Sequence, residues 1–366
     1  MLFSIIVTID NEYEITNNFI ENLLANTSLD DGEIIIAVDG CNYASTLQYL
    51  RDVSKNNKKI VIIEMDTKNG YGIANNIAIK HSSGDYLVLI NSDVLVVKKS
   101  IETLVEYVKN NPDVGAAQGL LIYPQNNLVQ STGHLFLDNH NAHIYKNKSL
   151  GASILKTAHD RQALTTAFCV ITRKEFEKHG GFDPFYYNAY EGIELTLKIS
   201  LSGKKCMFYP KAIAYHVTGV SRRKIPHDDK LPGIYFWSKW KNMIKNDLDK
   251  YTKVQIIPKM LERIYFCIMC THLYDEKDIA YKLGFDISGI IKIKNTNAFK
   301  IDLYTTLPYS AIKYSGPYIF MTSNIETLFG NRNWTIVRDN KDDLVIDAHG
   351  NLEYLNIITG AIWKTF

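Results

Sequence analysis

The sequence predicts an α/β fold built on a doubly wound, mainly parallel sheet with helices on both faces. Five short runs of continuously apolar residues occur before residue 125, as expected for strands that are buried on both faces. Segments with apolar residues at helical spacing separate these runs. A chain that alternates strand and helix in this way connects parallel strands by crossover helices, which gives the doubly wound class.

The predicted elements follow one another in the order that this fold requires. The five strands are FSIIV (3–7), EIIIAV (33–38), KIVIIEM (59–65), DYLVLI (85–90) and GAAQGLLIY (115–123). The helices between them are marked by apolar residues at helical spacing: Ile15, Phe19 and Leu23; Leu47 and Leu50; Ile73 and Ile77; Ile101, Leu104, Val105 and Val108. Such sheets bind ligands beyond the carboxyl ends of their strands, so we expect the functional residues there.

The sequence predicts three regions along the chain. The first is an α/β domain over residues 1–225; after the five strands it continues with a mixed α/β pattern and ends just after the run AIAYHVTG. Residues 226–285 are rich in aromatic residues and predict a helical segment. Strand-like runs separated by turn residues then predict a small β-rich module over residues 286–366. Its aromatic residues, Trp334 and Trp363 among them, suit a small core, self-association into a homo-oligomer or glycan stacking, and these alternatives stay open.

Composition and charge exclude several classes of function. The 41 basic and 39 acidic side chains give a formal net charge of +2, which argues against nucleic acid or another polyanion as a partner. No stretch approaches the roughly 18 apolar residues of a membrane span. The N-terminus lacks the basic region that begins a secretory signal, so we expect a cytoplasmic location and leave peripheral membrane association open.

The five cysteines indicate free thiols in a reducing compartment, because their number is odd and they are scattered along the chain. Only Cys267 and Cys270 have the spacing of a metal-binding pair. They lie in the apolar, helix-like run IYFCIMCTHLY, and no second pair completes a set of four zinc ligands. We therefore expect buried structural cysteines.

The run YLVLINSDVLV ends a predicted strand with two polar side chains, Asn91 and Asp93. A carboxylate beside a second polar side chain offers the oxygen ligands with which a divalent cation can bridge two phosphates. Such a cation stabilises the charge that builds on a leaving diphosphate. Asp93 therefore fits a cation site, with Asn91 beside the diphosphate, although the same residues also fit an ordinary turn.

Two further positions near strand ends fit a nucleotide. Asp39 follows EIIIAV, where it can accept a hydrogen bond from a base or ribose; alternatively it caps the helix that starts near Ala44. Gly70 and Gly72 precede a helix in KNGYGIANN, where bare backbone can approach a phosphate or ribose. This motif is not GxGxxG and does not follow the first strand, which argues against a dinucleotide fold of the dehydrogenase type.

These motifs, in this order, resemble the family 2 glycosyltransferases of GT-A fold, particularly the rhamnosyltransferase-like branch. The resemblance covers residues 3–221 and rests on SIIVTIDNEYE, AVDG, KNGYGIANNIAI, SSGDYLVLINSDV, QGLLIYPQNNLVQSTG and the long block from TTAFCVIT to YHVTGVS. It implies an inverting transferase that moves a sugar from a nucleotide diphosphate donor to a glycan or lipid-linked glycan acceptor. The setting that it implies is bacterial surface polysaccharide synthesis.

The resemblance also implies roles for individual residues. Three of them would contact the nucleoside part of the donor: Thr8, Asp39 and Asn75. Asp93 would be the main protein ligand of Mg or Mn, and His216 would complete the metal or diphosphate site. Arg222, a few residues later, would bind the diphosphate through its fork of donors, although a solvated basic loop is the alternative.

One position departs from the family pattern. The family block reads Glu-Asp-x-Asp or Glu-Asp-x-Glu, and its first Asp deprotonates the acceptor hydroxyl, whereas this chain has EGIE at residues 191–194. Glu191 is the nearest carboxylate that could replace the base, and Glu194, about one helical turn further on, would orient or substitute for it. Alternatively both acids cap their helix. The chain would then be a non-catalytic nucleotide-sugar-binding or glycan-binding protein, or a subunit of a synthase complex.

Overall fold

The computed structural model describes residues 1–137, 140–146, 150, 153–217 and 230–245, together with the strands between residues 252 and 354. The chain divides into two compact units, residues 1–245 and 246–366. The sequence instead predicted boundaries at residues 225 and 285. The first unit extends past residue 225 because the helix Lys230–Trp240 packs onto it through the buried side chain of Phe236.

Within the described residues, the first unit is built on a ten-stranded sheet. Its strands are β1 (Phe3–Ile9), β2 (Gly32–Asp39), β3 (Ile60–Met65), β4 (Tyr86–Ile90), β5 (Val94–Val96), β6 (Val114–Ile122), β7 (Val129–Ser131), β10 (His159–Arg161), β11 (Phe168–Thr172) and β12 (Lys205–His216). The order across the sheet is β10-β12-β6-β11-β4-β1-β2-β3, with β5 paired to β12 and β7 paired to β6. Strands β8 (His134–Leu137) and β9 (His140–His143) form a separate antiparallel hairpin.

All five strands expected from the apolar runs are present, as β1 to β4 and β6. Strands β1 to β4 pair in parallel, and β6 pairs in parallel with β12. Strand β11 lies between β4 and β6 and is antiparallel to both. The predicted α/β class is therefore confirmed, but the sheet is mixed in its second half, because β11 enters it through a long-range pairing that local apolarity does not encode.

Helices cover both faces of this sheet. They are α1 (Tyr13–Asn26), α2 (Ala44–Asn56), α3 (Tyr71–Lys80), α4 (Ser100–Lys109), α5 (Arg173–Lys178), α6 (Glu191–Leu201) and α7 (Lys230–Trp240), with a short 3₁₀ helix at Ser153–Lys156. Successive side chains of a strand point to opposite faces, so neighbouring residues of β1 enter different cores. Ile5 packs in a cluster with Phe19 of α1, whereas Ile6 packs in a cluster with Ala74 of α3 and Leu195 of α6. The sheet is thus buried between two helical layers.

The second unit contains β13 (Thr252–Ile257), β14 (Tyr265–Ile268), β15 (Phe285–Asp286), β16 (Ile290–Ile291), β17 (Ala298–Leu303), β18 (Tyr318–Met321), β19 (Leu344–Ile346) and β20 (Leu352–Tyr354). Six of these strands form a sheet in the order β13-β17-β14-β18-β19-β20. The helix predicted for residues 226–285 is present as α7 but wrong at β13 and β14, where Cys267 lies in a strand. A short apolar run does not distinguish a buried strand from a helix, and the β-branched and aromatic residues here favour the strand. Cys270, Trp334 and Trp363 lie outside the described residues.

Two expectations from composition can be compared directly with the described residues. Cys41, Cys169 and Cys206 are buried. Cys169 and Cys206 are thiols outside any disulfide, as predicted. The described part of the chain contains no helix that is long and apolar enough to cross a membrane.

Candidate functional site

A cleft of roughly 680 Å³ lies at the carboxyl ends of the central strands. Its wall includes Thr8 and Asp10 from the end of β1, Asp39 from the end of β2, and residues 91–93 from the end of β4. The opposite wall comes from residues 188–193 at the start of α6. This is the edge at which open α/β sheets bind ligands, and the volume suits a nucleotide-sized molecule.

Asp93 and His216 meet in this cleft. Strand β5 follows Asp93 and pairs with the end of β12, where His216 lies opposite Val94. The backbone N–H of Val217 donates to the carbonyl of Asp93 at 3.0 Å, which fixes the two chain segments. As a result, the Asp93 Oδ1 and His216 Nε2 atoms are 3.1 Å apart. The structure therefore brings together the two residues that the sequence analysis assigned to the metal.

This pair of side chains fits a divalent cation. Gln130 Oε1 lies 2.7 Å from His216 Nδ1, and the other ring nitrogen, Nε2, faces the Asp93 carboxylate. Adjacent ligands of an octahedral Mg²⁺, with bonds of about 2.1 Å, are about 3 Å apart. The described residues hold no cluster of three or more His, Cys, Asp or Glu side chains that could bind a metal ion.

Asp39 shapes the loop before α3. Its carboxylate accepts hydrogen bonds from the backbone N–H groups of Asn69 at 2.6 Å and Gly70 at 2.9 Å. Gly70 has a φ of +85°, and a Cβ there would lie 2.4 Å from the carbonyl oxygen of Tyr187, so glycine is required. The alternative prediction, that Asp39 caps α2, is wrong, because α2 has no side-chain cap. Asp39 lines the cleft and Gly70 does not.

The remaining donor-side predictions differ in outcome. Thr8 and Asn91 line the cleft. Asn75 does not: it is fully buried in α3, where its side-chain amide donates to the carbonyl of Tyr71 at 2.7 Å. The expectation that Asn75 contacts the donor is therefore wrong. Asn75 lies about one turn after the start of α3, on the face of the helix that packs into the core. Arg222 lies outside the described residues.

Glu191 is the first residue of α6 and lines the cleft. Its Cβ atom lies 3.7 Å from the position that a Cβ on Gly72 would take, next to the start of α3. Burial, and to a smaller extent the charge of Glu191, raise the pKa of the neighbouring Tyr71 hydroxyl. Glu191 therefore presents a carboxylate at the wall of the cleft that faces the strand ends.

Glu194 does not line the cleft, which corrects the prediction that it orients or replaces Glu191. Its side chain is 1% exposed and forms ion pairs with Lys198 at 3.0 Å and Lys239 at 2.6 Å. The indole N–H of Trp240 donates to it at 2.8 Å. The contacts with Lys239 and Trp240 hold the Glu194 side chain toward α7, whereas Glu191 lines the cleft.

Several cleft residues were missed by the sequence analysis. Asp10 forms an ion pair with Lys68 at 2.5 Å. Burial lowers the pKa of Lys68, but the hydrogen bond to Asp10 and the nearby negative charges together outweigh burial, so this pKa is raised. His134, from β8, has its pKa lowered to about 4 by burial. Thr166 lies against Gly192. Thr166 falls within a motif that carried the family resemblance, but residue type alone gave it no role.

Three comparisons with known proteins bear on this site. Residues 4–179 match the family model described as "Glycosyl transferase family 2". The chain is 26% identical over 227 residues to "Uncharacterized protein y4gI" of Sinorhizobium fredii, which covers 60% of this chain and 25% of that protein. It is 26% identical over 240 residues to "O-antigen biosynthesis protein RfbC" of Myxococcus xanthus, which covers 64% of this chain and 18% of that protein. The chain spans about a quarter or less of the length of these relatives.

Among solved structures, the chain is similar to the mannosyltransferase PcManGT from Pyrobaculum calidifontis in complex with GDP-Man and Mn²⁺. The TM-score is 0.50 at 18% sequence identity, and the match covers 67% of this chain and 65% of that chain. The likeness concerns the fold, and it agrees with the GT-A-type architecture expected from the sequence.

Proposed function

We propose, on the premise that residues 4–179 form a glycosyl transferase family 2 domain, that this chain transfers a sugar from a nucleoside diphosphate donor to a glycan hydroxyl. The observation that carries the proposal is the 3.1 Å approach of Asp93 and His216 in a cleft at the strand ends. A carboxylate and an imidazole in this arrangement suit a cation that binds a diphosphate.

Donor binding would use the strand-end residues. Asp93 and His216 would hold Mg²⁺ or Mn²⁺ together with diphosphate oxygens, and a bound cation of this kind stabilises the charge on the leaving diphosphate. Thr8 and Asp39 line the cleft and would contact the nucleoside. Asn91 would contact the donor beside Asp93.

Sugar transfer would be a single displacement with inversion. The acceptor oxygen would form a bond to the anomeric carbon while its proton passes to the Glu191 carboxylate. The bond from that carbon to the diphosphate would break, and its electron pair would leave with the diphosphate. Glu191 suits the role of base because it lines the cleft, whereas Glu194 is engaged by Lys239 of α7.

The acceptor would be a bacterial surface polysaccharide or its lipid-linked precursor. The relative from Myxococcus xanthus is named for O-antigen biosynthesis, which supports this setting. The transferred sugar would be a hexose or deoxyhexose, with rhamnose as the first candidate from the sequence resemblance. Neither assignment follows from the shape of the cleft, because specificity depends on loop detail.

One observation favours a second candidate function. Position 192, where the resemblance places the base, is a glycine without room for a side chain, because its Cβ would lie 2.4 Å from Thr166 Oγ1. A chain that binds nucleotide sugars without transferring them would have this feature. Residues 246–366 leave open the related role of a subunit in a synthase complex.

A two-part experiment distinguishes these functions. Thermal unfolding is measured with UDP-glucose, UDP-N-acetylglucosamine, GDP-mannose and dTDP-rhamnose, each with and without Mn²⁺, because a ligand that binds the folded state raises Tm. Release of nucleoside diphosphate is then measured with the best donor and glycan acceptors. We expect a Tm increase that needs Mn²⁺, followed by acceptor-dependent release. Binding without release from any acceptor would instead support the non-catalytic function.

A further inference from the structure

Thr166 and Gly192 compete for the same space. Gly192 is the second residue of α6, and a Cβ added to it would lie 2.4 Å from Thr166 Oγ1 and 2.8 Å from Thr166 Cγ2. The backbone of Gly192 does not have a positive φ, so its conformation would accept a side chain. Position 192 therefore requires a glycine because Thr166 fills the space that a side chain would need, and not because the backbone there has a conformation that only glycine adopts.

Thr166 cannot easily retreat from this position. Its carbonyl accepts a hydrogen bond from the Tyr71 hydroxyl at 3.3 Å. On its two sides, the N–H of Thr165 donates to the side chain of Gln118 at 3.0 Å, and the carbonyl of Ala167 accepts from the N–H of Asn91 at 3.1 Å. The side chain of Thr166 is 6% exposed and lines the cleft. The backbone of Thr166 is thus held in place, and its side chain lies where the family acid would leave the backbone of residue 192.

A hydroxyl at this place can hold an acceptor but cannot serve as its base. A threonine hydroxyl both donates and accepts hydrogen bonds, yet it does not take up a proton near neutral pH. We propose that Thr166 is a positioning residue, whose hydroxyl hydrogen-bonds the attacking acceptor hydroxyl while Glu191 receives the proton. This inference rests on the proposed glycosyl transfer.

Two variants separate the hydroxyl from the shape of residue 166. Thr166→Val keeps the branched shape without the hydroxyl, and Thr166→Ser keeps the hydroxyl. Kinetics are measured with Mn²⁺, the donor among the four nucleotide sugars that the wild-type chain uses best, and the methyl glycosides of glucose, galactose, mannose and rhamnose as acceptors. We expect kcat/KM for the acceptor to fall about tenfold in Thr166→Val and less than about threefold in Thr166→Ser, with donor affinity unchanged in both.

The outcomes distinguish the inference from the function on which it rests. If Thr166→Val transfers as well as the wild-type chain, or if Thr166→Ser loses as much as Thr166→Val, the positioning role is wrong and the glycosyltransferase function stands. If the wild-type chain transfers to no acceptor, both proposals fail together.

A stability experiment tests the competition for space without any substrate. Gly192→Ala should lower Tm clearly in the wild-type chain and much less when combined with Thr166→Ala, because the hydroxyl and methyl that the new Cβ would meet are then gone. Gly233→Ala in α7 is the matched control, since the nearest atoms that its Cβ would meet belong to the Tyr190 side chain, with the hydroxyl at 3.3 Å and the ring carbons at 3.6 Å. An equal loss of Tm in both backgrounds would overturn the steric part of the inference.

Discussion

The carboxylate of Asp93 and the imidazole of His216 lie 3.1 Å apart although they belong to distant segments of the chain. The antiparallel pairing of β5 with β12 places His216 opposite Val94, next to Asp93, and Gln130 contacts the imidazole at Nδ1. An imidazole that is hydrogen-bonded on one nitrogen presents the other in a fixed direction, as metal-binding histidines do. Contacts within the chain therefore fix the relative position of the two side chains.

Asp93→Asn should abolish Mn²⁺-dependent sugar transfer, with at least a 100-fold loss, because a neutral amide is a weak ligand for a hard cation. The free energy of unfolding should change by less than about 1 kcal/mol, because the residue lies at a strand end outside the core. Transfer rates and urea unfolding measure the two effects. Asp113→Asn is the control, since that exposed acid pairs with Lys205 away from the cleft. Full activity in Asp93→Asn would remove the residue from the site.

Glu191→Gln should lower kcat by about 10²- to 10⁴-fold, the range that a positioned general base supplies. Donor affinity, measured by thermal shift or calorimetry, should stay nearly unchanged, because the carboxylate acts only on the acceptor proton. Glu177→Gln, which changes an exposed acid of α5, serves as the matched control. A rate above background that survives Glu191→Gln would place the base elsewhere, with Asp183 as the next acid to test.

Glu194→Gln should destabilise the fold and not act on catalysis directly. The buried carboxylate pairs with Lys198 and Lys239, and its removal leaves Lys198 without this partner and Lys239 with Asp183 alone, at a cost of about 3 kcal/mol. Urea unfolding of Glu194→Gln, Lys239→Met and the double variant measures the coupling, and we expect the double variant to lose less than the sum. Additive losses would show that the pair contributes nothing of its own.

Burial of His134 should make stability fall in acid. The pKa of this residue is lowered to about 4, whereas an unfolded histidine titrates near 6.5. Below pH 6.5 the unfolded chain therefore binds a proton that the folded chain does not, so the stabilisation present above 6.5 is lost as the pH falls toward 4. His134 should account for about 3 kcal/mol of this loss. In His134→Gln the free energy of unfolding should depend less steeply on pH between 4.5 and 6.5; an unchanged slope would contradict this origin.

A chain shortened to residues 1–245 should fold and bind the same nucleotide sugar as the full chain. The division between the two units falls at this point, and the described cleft residues all precede it. A cut near residue 275 would instead separate β14 from its partners β17 and β18. Thermal shift with the best donor is the measurement. Loss of donor binding in the shortened chain would mean that residues 246–366 contribute to the site.

The sequence predicts those parts of the fold that depend on neighbouring residues, and not those that depend on contacts between distant segments of the chain. Runs such as EIIIAV predict strands correctly because continuous apolarity reflects burial on both faces. The position of β11 between β4 and β6 is not predictable in this way, since it depends on pairing between distant segments. The same limit applies to β14, where a short apolar run has no periodicity that separates a strand from a helix.

The candidate site shows the same division. Asp93 and His216 could be named in advance because each follows a strand and matches a motif of the family. The direction of the Glu194 side chain could not be predicted, because it depends on contacts with Lys239 and Trp240 of α7, which lies far along the chain. Thr166 could not be identified from the sequence for a related reason. It acts by packing against Gly192, and the packing of two residues that are distant in sequence cannot be read from residue type.

The close packing of Thr166 on Gly192 also constrains the order in which substitutions can accumulate. An acidic side chain at position 192 would overlap Thr166 and so cost stability in the present chain. A smaller residue at position 166 would remove that cost, so the effect of a substitution at position 192 depends on a neighbour in space that is remote in sequence.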